Sequence, residues 1–349
     1  MTPETLWKIL PLAIIVFGLT HLLVPINIRF SNRFGIVARP AERRVHKYSI
    51  PEAGGLSFAL PIIAMQIVFA LISNDPNMRR MLIQFSGVEL LTLTTGIFDD
   101  RFESSARFKL LWQFIIGLLM YLIGFKVEFL TNPLGSHFTL GWMSLPITIL
   151  WYMVVLNAIN LIDGLDGLAT GICVIVSAVL CIVGFREHNI QVIALSALLF
   201  AGSLAFLRYN FHPAKIFLGD TGALFIGLNI AAISNAGTEQ YKGIASMTLI
   251  IPLAVLAVPL LDVFLAIFRR IRVGNIFAAD KAHIHHAMLA SGLSQKQISI
   301  IVYIVTLLFG LIAIGFSFSS KKVLFSLLMA VLMLMVIAAY ILMRWEKKK

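Results

Sequence analysis

The amino-acid sequence predicts an all-α polytopic membrane protein that forms one integral membrane domain over residues 1–349. Hydrophobic residues make up 59% of the chain and charged residues only 13%, whereas a soluble domain carries about 25% charged residues. The mean hydropathy is +0.91. The apolar residues form windows of about 18–22 residues between clusters of charge, which is the length that a helix needs to cross a bilayer. These values exclude a soluble globular protein.

The apolar windows predict about eleven transmembrane spans. Their approximate bounds are 7–26, 54–73, 81–98, 110–125, 144–161, 168–185, 190–207, 222–237, 244–268, 299–318 and 322–343. The first window is too long for a removable signal peptide and lacks a small-residue cleavage site, so we expect it to remain as a helix. Neither an internal repeat nor a low-complexity linker divides the chain, which favours a single membrane domain.

The loops between the predicted spans differ in positive charge. Of the 28 Lys and Arg residues, 20 fall on one side of the membrane and 8 on the other. The positive-inside rule therefore places the N-terminus outside and the C-terminus in the cytoplasm. The net charge of +11 is then a topology signal and not evidence of a nucleic-acid partner. On the outside, residues 126–143 predict a small β-hairpin over the fourth and fifth spans.

Aspartates are concentrated at the cytoplasmic ends of the spans, whereas glutamates are not. The seven cytoplasmic aspartates are Asp99, Asp100, Asp163, Asp166, Asp220, Asp262 and Asp280, and the eighth, Asp75, lies outside. Ionisable residues in the spans of an apolar protein are candidates for a functional site. The cytoplasmic aspartates suit a metal ion, and the Lys and Arg residues on the same side suit phosphate groups. The alternative is that longer cytoplasmic loops contain more residues of every polar kind.

The third span ends in two adjacent carboxylates, Asp99 and Asp100, and Arg107 and Lys109 follow. The helix dipole disfavours negative charge at a helix C-terminus, so a compensating group is expected. The pair is a candidate for catalysis and Lys109 for substrate binding. The alternative is a solvated helix end beside basic residues.

The fifth span leads into a loop with two amides and two carboxylates. These residues are Asn157, Asn160, Asp163 and Asp166. The intervening glycines permit a tight turn and close approach of a ligand. This combination is richer in polar groups than a chance turn between two spans, and it indicates a substrate site.

The eighth span is entered through a segment that contains Lys215, Phe217 and Asp220. Backbone N–H groups at a helix N-terminus favour anions, which suits a phosphate-binding site. The alternative is a simple N-cap, because Asp220 or Thr221 would cap the helix whatever its function. Capping alone does not require the aromatic residue or the glycine before it.

Two basic segments complete the set of motifs. Before the second span, a run that ends at Lys47 is followed by Pro and paired Gly residues, which indicate a shaped loop; the alternatives are a topology signal or a contact with anionic lipid. After the ninth span, Arg269 begins a basic cluster, and His283, His285 and His286 follow it. Three histidines suit a zinc site, an anion site or an ordinary polar loop.

Taken in this order, the motifs from Arg43 to Gln297 resemble those of the polyprenyl-phosphate N-acetylhexosamine-1-phosphate transferases. This bacterial family includes the enzymes that initiate O-antigen, enterobacterial common antigen and teichoic-acid linkage units, and the lipid I synthase is related to it. The resemblance implies ten or eleven helices in the bacterial cytoplasmic (inner) membrane, with an active-site cleft on the cytoplasmic face and a lipid-facing groove. The His-Ile-His-His sequence that starts at His283 differs from the three consecutive histidines of the lipid I synthase, which favours the N-acetylhexosamine branch.

The resemblance also implies roles for individual residues. Asp220 matches the family's magnesium ligand, so Mg²⁺ is the implied cofactor with Mn²⁺ as an alternative, and Phe217 matches the aromatic residue that stacks on uracil. The implied catalytic residues are Asp99, Asp100, Asp163, Asp166, His283, His285 and His286. The implied substrate-binding residues are Lys47, Lys109, Asn157, Asn160, Lys215, Phe217 and Arg269.

The implied reaction transfers an N-acetylhexosamine 1-phosphate, with N-acetylglucosamine expected, from a UDP-sugar to undecaprenyl or another polyprenyl phosphate. UMP is released, and the lipid-linked diphosphate sugar starts a cell-envelope polysaccharide. Direct attack by the acceptor phosphate is favoured, while a route through an aspartyl-phosphate stays open, as does a homodimer. The alternatives are UDP-MurNAc-pentapeptide as the donor, a transporter of anionic metabolites or a scaffold protein. A transporter would place charges near mid-membrane, and a scaffold would not need five polar motifs.

Overall fold

The computed structural model describes residues 3–38, 49–102, 104–130, 138–236, 256–257, 260–261, 288–315, 326–334 and 336–337. The helices are α1 (Pro3–Phe34), α2 (Leu56–Ile72), α3 (Pro76–Phe102), α4 (Ala106–Leu122), α5 (Ser144–Ile162), α6 (Leu168–Arg186), α7 (Ile190–Asn210), α8 (Gly219–Asn235) and α9 (Gln295–Gly315). Residues 326–334 are also helical. Six of the described helices are long and apolar enough to cross a membrane. The predicted all-α membrane fold is confirmed, while the count of eleven spans and their orientation stay predictions.

Helices α1 and α3 extend beyond the apolar windows that predict them. α1 runs on to Phe34, and α3 covers Pro76–Phe102. Hydropathy detects only the part of a helix that suits the bilayer interior, whereas the helix continues into the polar interface where its end groups find partners. As a result Asp99 and Asp100 lie within the last turns of α3 and not in a loop after it.

Helix α8 is the central helix of the described bundle. It packs along α3 and α5 and also contacts α2, α6 and α7. Nearly every residue from Thr221 to Asn235 is buried, although the helix has only 17 residues. The sequence predicts a span at this place, and the structure surrounds that span with protein.

Glycines let α2, α3 and α8 approach one another closely. A Cβ atom at Gly96 would lie 2.4 Å from the Cα of Thr221, and one at Gly55 would lie 2.3 Å from the backbone nitrogen of Gly222. Both distances are far shorter than van der Waals contact, so a side chain would force the helices apart. This packing sets the start of α8 against the end of α3.

Glu89 links the same three helices inside the bundle. Its carboxyl oxygens accept hydrogen bonds from Nε2 of Gln66 on α2 and from Nδ2 of Asn229 on α8, each over 2.9 Å. A carboxyl group in a membrane interior requires polar partners of this kind. Glu89 is therefore a structural contact between helices, and the sequence alone does not indicate its partners.

In the part of the chain that the structure describes, two short antiparallel strand pairs lie between the helices. β1 (Val37–Ala38) pairs with β2 (Ile50–Pro51) and brackets residues 39–48, which lie outside the described residues. β3 (Phe129–Leu130) pairs with β4 (Phe138–Thr139) between α4 and α5, in the stretch where the sequence predicts a hairpin. The side of the membrane on which this pair lies stays a prediction.

Cysteine labelling in intact cells tests the predicted orientation. Asn74 is exposed between α2 and α3 and is predicted to be outside, whereas Lys296 is exposed in the first turn of α9 and is predicted to be cytoplasmic. In a chain whose natural Cys173 and Cys181 are replaced by alanine, a membrane-impermeant maleimide should label Asn74→Cys directly. It should label Lys296→Cys only after the membrane is permeabilised. Direct labelling of Lys296→Cys in intact cells would contradict the orientation.

Candidate active site

Four helix ends meet around Asp220, at the N-terminus of α8. Nζ of Lys109, in the first turn of α4, lies 2.8 Å from Oδ2 of Asp220 and also contacts Oδ2 of Asp99 at the end of α3. Nδ2 of Asn160, near the end of α5, donates to Oδ1 of Asp220. The structure thus brings together residues from three motifs that are far apart in the sequence.

Asp100 has different partners from its neighbour Asp99. Its carboxylate accepts hydrogen bonds from the backbone N–H groups of Asp220 (2.6 Å) and Thr221 (3.2 Å) and from the Thr221 hydroxyl (2.5 Å). The first N–H groups of a helix lack partners within the helix, and its dipole favours an anion there. The expected compensation is therefore divided, since Lys109 pairs with Asp99 and the start of α8 pairs with Asp100. The cap of α8 comes from another helix and not from its own side chains.

The residue before Asp220 is a glycine for two reasons. Gly219 has a φ of +72°, which other residues rarely adopt. A Cβ atom there would also lie 2.6 Å from Oδ2 of Asp100 and 3.0 Å from the backbone nitrogen of Ala53. The glycine thus allows the Asp100 carboxylate to reach the start of α8.

The loop that leads into α8 is fixed against the start of α2. The backbone N–H of Phe217 donates to the carbonyl of Pro51 over 2.8 Å, and the N–H of Gly54 donates to the carbonyl of Phe217 over 3.0 Å. The Phe217 side chain is half-buried, and Lys215 on the same loop is exposed. These backbone hydrogen bonds therefore fix the position of Phe217, the predicted uracil-stacking residue, three positions before Asp220.

Asp166 connects the loop after α5 to the loop before α8. Its Oδ2 accepts a hydrogen bond from the backbone N–H of Ala214 over 3.1 Å and lies 2.8 Å from Nδ1 of His212. The sequence does not single out His212, because one histidine in a loop forms no pattern. Its only signal is its position in the segment that carries Phe217.

Asp163 lies in a negative environment. Burial raises the pKa of its carboxyl group well above its usual range, and the neighbouring carboxylates of Asp220, Asp100, Asp166 and Glu52 raise it further. Neighbouring carboxylates repel one another, so each favours the protonated form of the next unless a cation is present. The loop after α5 therefore favours a cation or a proton near Asp163.

Asn157 is held by a residue that sequence analysis missed. Its Nδ2 donates to Oε1 of Gln113 over 2.5 Å and to the backbone carbonyl of Met153 over 2.7 Å. Gln113 is buried on α4, four residues after Lys109. Residues four apart share a helix face, so this spacing was a signal that could have identified it.

The residues around Asp220 fit a hard divalent cation. Such cations prefer carboxylate oxygens, which Asp99 and Asp220 supply, while Asn160 donates its amide N–H to Oδ1 of Asp220. The ammonium of Lys109 already lies against oxygens of both carboxylates. Among the described residues, no three His, Cys, Asp or Glu side chains form a closed metal site. A cation would therefore be held by Asp220 with help from neighbouring oxygens.

Several predicted site residues lie outside the described residues. They are Lys47, Arg269, His283, His285 and His286. Their proposed roles therefore rest on the sequence alone. The described part of the site consists of the ends of α3 and α5, the starts of α4 and α8, and the loops that join them.

The chain is thus a polytopic membrane protein with an enzyme-like polar site. Carboxylates, amides and an ammonium lie together at the ends of its helices. Residues 82–238 match the sequence profile of glycosyl transferase family 4. The chain belongs to this family of transferases, which confirms the resemblance to the polyprenyl-phosphate N-acetylhexosamine-1-phosphate transferases.

Curated relatives match most of the chain. It is 38% identical over 305 residues to a probable undecaprenyl-phosphate N-acetylglucosaminyl 1-phosphate transferase of Bacillus subtilis, covering 86% of this chain and 83% of the relative. It is 36% identical over 313 residues to a decaprenyl-phosphate N-acetylglucosaminephosphotransferase of Mycobacterium leprae, covering 82% and 77%. It is 30% identical over 320 residues to a phospho-N-acetylmuramoyl-pentapeptide-transferase of Halalkalibacterium halodurans, covering 86% and 95%.

Proposed function

We propose that the protein transfers N-acetylglucosamine 1-phosphate from UDP-N-acetylglucosamine to a polyprenyl phosphate in the bacterial inner membrane, with Mg²⁺ as cofactor. The observation that carries the proposal is the group formed by Asp99, Lys109, Asn160 and Asp220. It combines oxygen ligands for a divalent cation with a positive charge for phosphate, which is what a diphosphate donor and a phosphate acceptor need. The names of the relatives supply the sugar and the acceptor.

The relatives favour N-acetylglucosamine over the muramoyl-pentapeptide. Identity is 38% and 36% to the two N-acetylglucosamine enzymes and 30% to the pentapeptide enzyme. The difference agrees with the His-Ile-His-His sequence at His283. UDP-MurNAc-pentapeptide is the second candidate donor. A transporter is not favoured, because the family consists of transferases.

Transfer between two phosphates requires positioning and charge neutralisation more than covalent chemistry by the protein. The second pKa of a phosphate monoester is about 6, so the acceptor is largely dianionic at neutral pH and attacks the β-phosphorus of the donor without a strong base. UMP leaves with the electron pair of the broken bond.

Each remaining part of the site has a defined task in this reaction. Mg²⁺ bound at Asp220 would neutralise the diphosphate of the donor and polarise it for attack. Lys109 binds phosphate oxygens, Phe217 stacks on the uracil, and Asp100 keeps Asp220 in place through the start of α8. Asn157 and Asn160 supply amide groups on the same end of α5.

The experiment that tests the function measures UMP release by the full chain in detergent. With undecaprenyl phosphate and Mg²⁺, we expect kcat/KM for UDP-N-acetylglucosamine to exceed that for UDP-MurNAc-pentapeptide by at least about tenfold, because groups arranged to bind sugar hydroxyls reject analogues that leave them unpaired. A reaction without acceptor is the control and should release no UMP. A preference for the pentapeptide donor would contradict the sugar assignment, and equal release without acceptor would contradict transfer.

Phe217→Ala should weaken donor binding. Stacking on a base is worth about 1–3 kcal/mol, so KM for UDP-N-acetylglucosamine should rise about ten- to a hundredfold with little change in kcat. Phe217→Tyr keeps the ring and serves as the matched control. Steady-state kinetics on both variants decide the point, since a lower kcat at unchanged KM would assign the ring another role.

A further inference from the structure

Lys109 lies between two carboxylates as their shared cation. Its Nζ contacts Oδ2 of Asp99 and lies 2.8 Å from Oδ2 of Asp220. The Asp99 and Asp220 side chains are 5% and 24% exposed, while that of Lys109 is 37% exposed. Partly buried carboxylates this close together need a positive charge, so the ammonium stabilises the pair.

The remaining oxygens of the two carboxylates are already engaged. Oδ1 of Asp220 accepts from Nδ2 of Asn160, and Oδ1 of Asp99 accepts from the backbone N–H of Ser104 over 2.9 Å. The oxygens that face a common cation are therefore the two Oδ2 atoms that Lys109 contacts. The two Oδ2 atoms are therefore the oxygens where a divalent cation between Asp99 and Asp220 would meet the ammonium.

Asp100 cannot serve as a substitute ligand without breaking the fold of the site. Both of its oxygens accept hydrogen bonds from the start of α8, which carries Asp220 itself. If Asp100 turned towards a cation, the N–H groups of Asp220 and Thr221 would lose their partners. Of the two adjacent aspartates of α3, only Asp99 can therefore share a cation with Asp220 while the start of α8 keeps its hydrogen bonds.

We propose that Lys109 is the resident counter-ion of Asp99 and Asp220, and that a divalent cation binds by displacing its ammonium from the two Oδ2 atoms. Lysine suits this exchange, because its ammonium is a compact charge on a flexible stem and its three donors can be re-aimed. The half-exposed stem of Lys109 leaves room for that movement. A positive charge therefore lies against the carboxylate pair both before and after the exchange, first the ammonium and then the divalent cation.

The exchange also explains how one residue serves two partners. Once displaced, the ammonium stays at the edge of the site, where it can pair with a phosphate oxygen of a substrate. This second step rests on the proposed function, whereas the exchange itself requires neither donor nor acceptor. Binding of the cation would thus prepare a phosphate-binding group as well as a metal site.

The first experiment measures Mn²⁺ binding to the full chain in detergent by electron paramagnetic resonance, without substrates. Lys109→Met removes the competing ammonium but keeps an apolar stem, and we expect it to tighten the Kd for Mn²⁺ by about tenfold. Arg208→Met is the matched control, because Arg208 is exposed on the predicted cytoplasmic end of α7 and exposed charges are screened by salt. It should change the Kd by less than about twofold. An unchanged or weaker Kd in Lys109→Met would overturn the proposal.

The second experiment uses the unaltered chain and so does not depend on the folding of a variant. Limited labelling with an amine-reactive reagent, followed by peptide mass spectrometry, reports the reactivity of Lys109, with the exposed Lys296 as reference. Mg²⁺ should raise the labelling of Lys109 severalfold and leave that of Lys296 unchanged. If Lys109→Met binds Mn²⁺ more tightly but Mg²⁺ does not raise the labelling of Lys109, the ammonium acts only through its charge at a distance. That result would overturn the proposal that the cation displaces it. Loss of UMP release in the function assay with the exchange intact would instead contradict the proposed function alone.

Discussion

Asp220→Asn is expected to reduce kcat for UMP release by at least about a hundred- to a thousandfold, the usual effect of removing one preorganised electrostatic group from an active site. The amide has the same size as the carboxylate, and the backbone N–H of residue 220 can still donate its hydrogen bond to Asp100. The substitution removes the negative charge that pairs with Lys109 and that Mg²⁺ would need. The loss should appear at saturating donor and Mg²⁺, because it concerns the reaction and not only binding.

Asp75→Asn is the matched control for that substitution. Asp75 lies at a helix N-terminus, as Asp220 does, and its Oδ1 accepts from the backbone N–H of Asn77 over 2.9 Å, yet it is at the opposite end of α3 from Asp99 and Asp100. We expect near-normal turnover and the same melting temperature. If Asp220→Asn retained full activity at matched protein levels, Asp220 would have no part in metal binding.

Gly96→Ala should destabilise the fold by at least about 3 kcal/mol, at the upper end of the cost of overpacking. Its Cβ would lie 2.4 Å from the Cα of Thr221, where the neighbour is backbone and cannot turn aside. The end of α3 would have to move away from the start of α8, and Asp100 would lose its hydrogen bonds to that helix. We expect a lower melting temperature in detergent and at least about a tenfold loss of UMP release.

Gly87→Ala provides the contrast on the same helix. Nothing lies within 4 Å of a Cβ atom at Gly87, so alanine should be neutral or should stabilise α3 by about 0.5–1 kcal/mol. Thermal unfolding of the two variants side by side separates a packing effect from a general effect of alanine in α3. Equal melting temperatures would show that α3 and α8 do not need the close contact.

The sequence predicts the helices well because hydropathy reports the main free-energy term for a membrane segment, the transfer of apolar side chains into lipid. It fails at the ends of α1 and α3, where the helix continues beyond the apolar window because its terminal groups find polar partners. It also does not reveal that α8 is enclosed by protein. Hydropathy has the same value whether an apolar side chain contacts lipid or another helix.

The sequence also predicts most residues of the candidate site, but it does not predict which partner each of them binds. Asp99 and Asp100 are adjacent and chemically identical, and only their different directions on α3 assign one to Lys109 and the other to the start of α8. His212 escapes notice because it depends on a partner from a distant part of the chain, and the only local signal of Gln113 is its four-residue spacing from Lys109. Contacts of this kind follow from packing, which the order of residues does not state.

The enclosure of α8 has a consequence for how this helix can vary over evolutionary time. A helix at the edge of a bundle has a lipid side, where one apolar residue replaces another at little cost. α8 has almost no such side, since its residues contact α3, α5 or a further helix around the whole circumference. The positions of α8 that tolerate substitution should therefore show no periodicity of three to four residues. Substitutions in α8 should occur together with compensating substitutions in the helices that it contacts. We therefore expect the segment that carries Asp220 to change more slowly than α1, whose exposed side chains can face lipid.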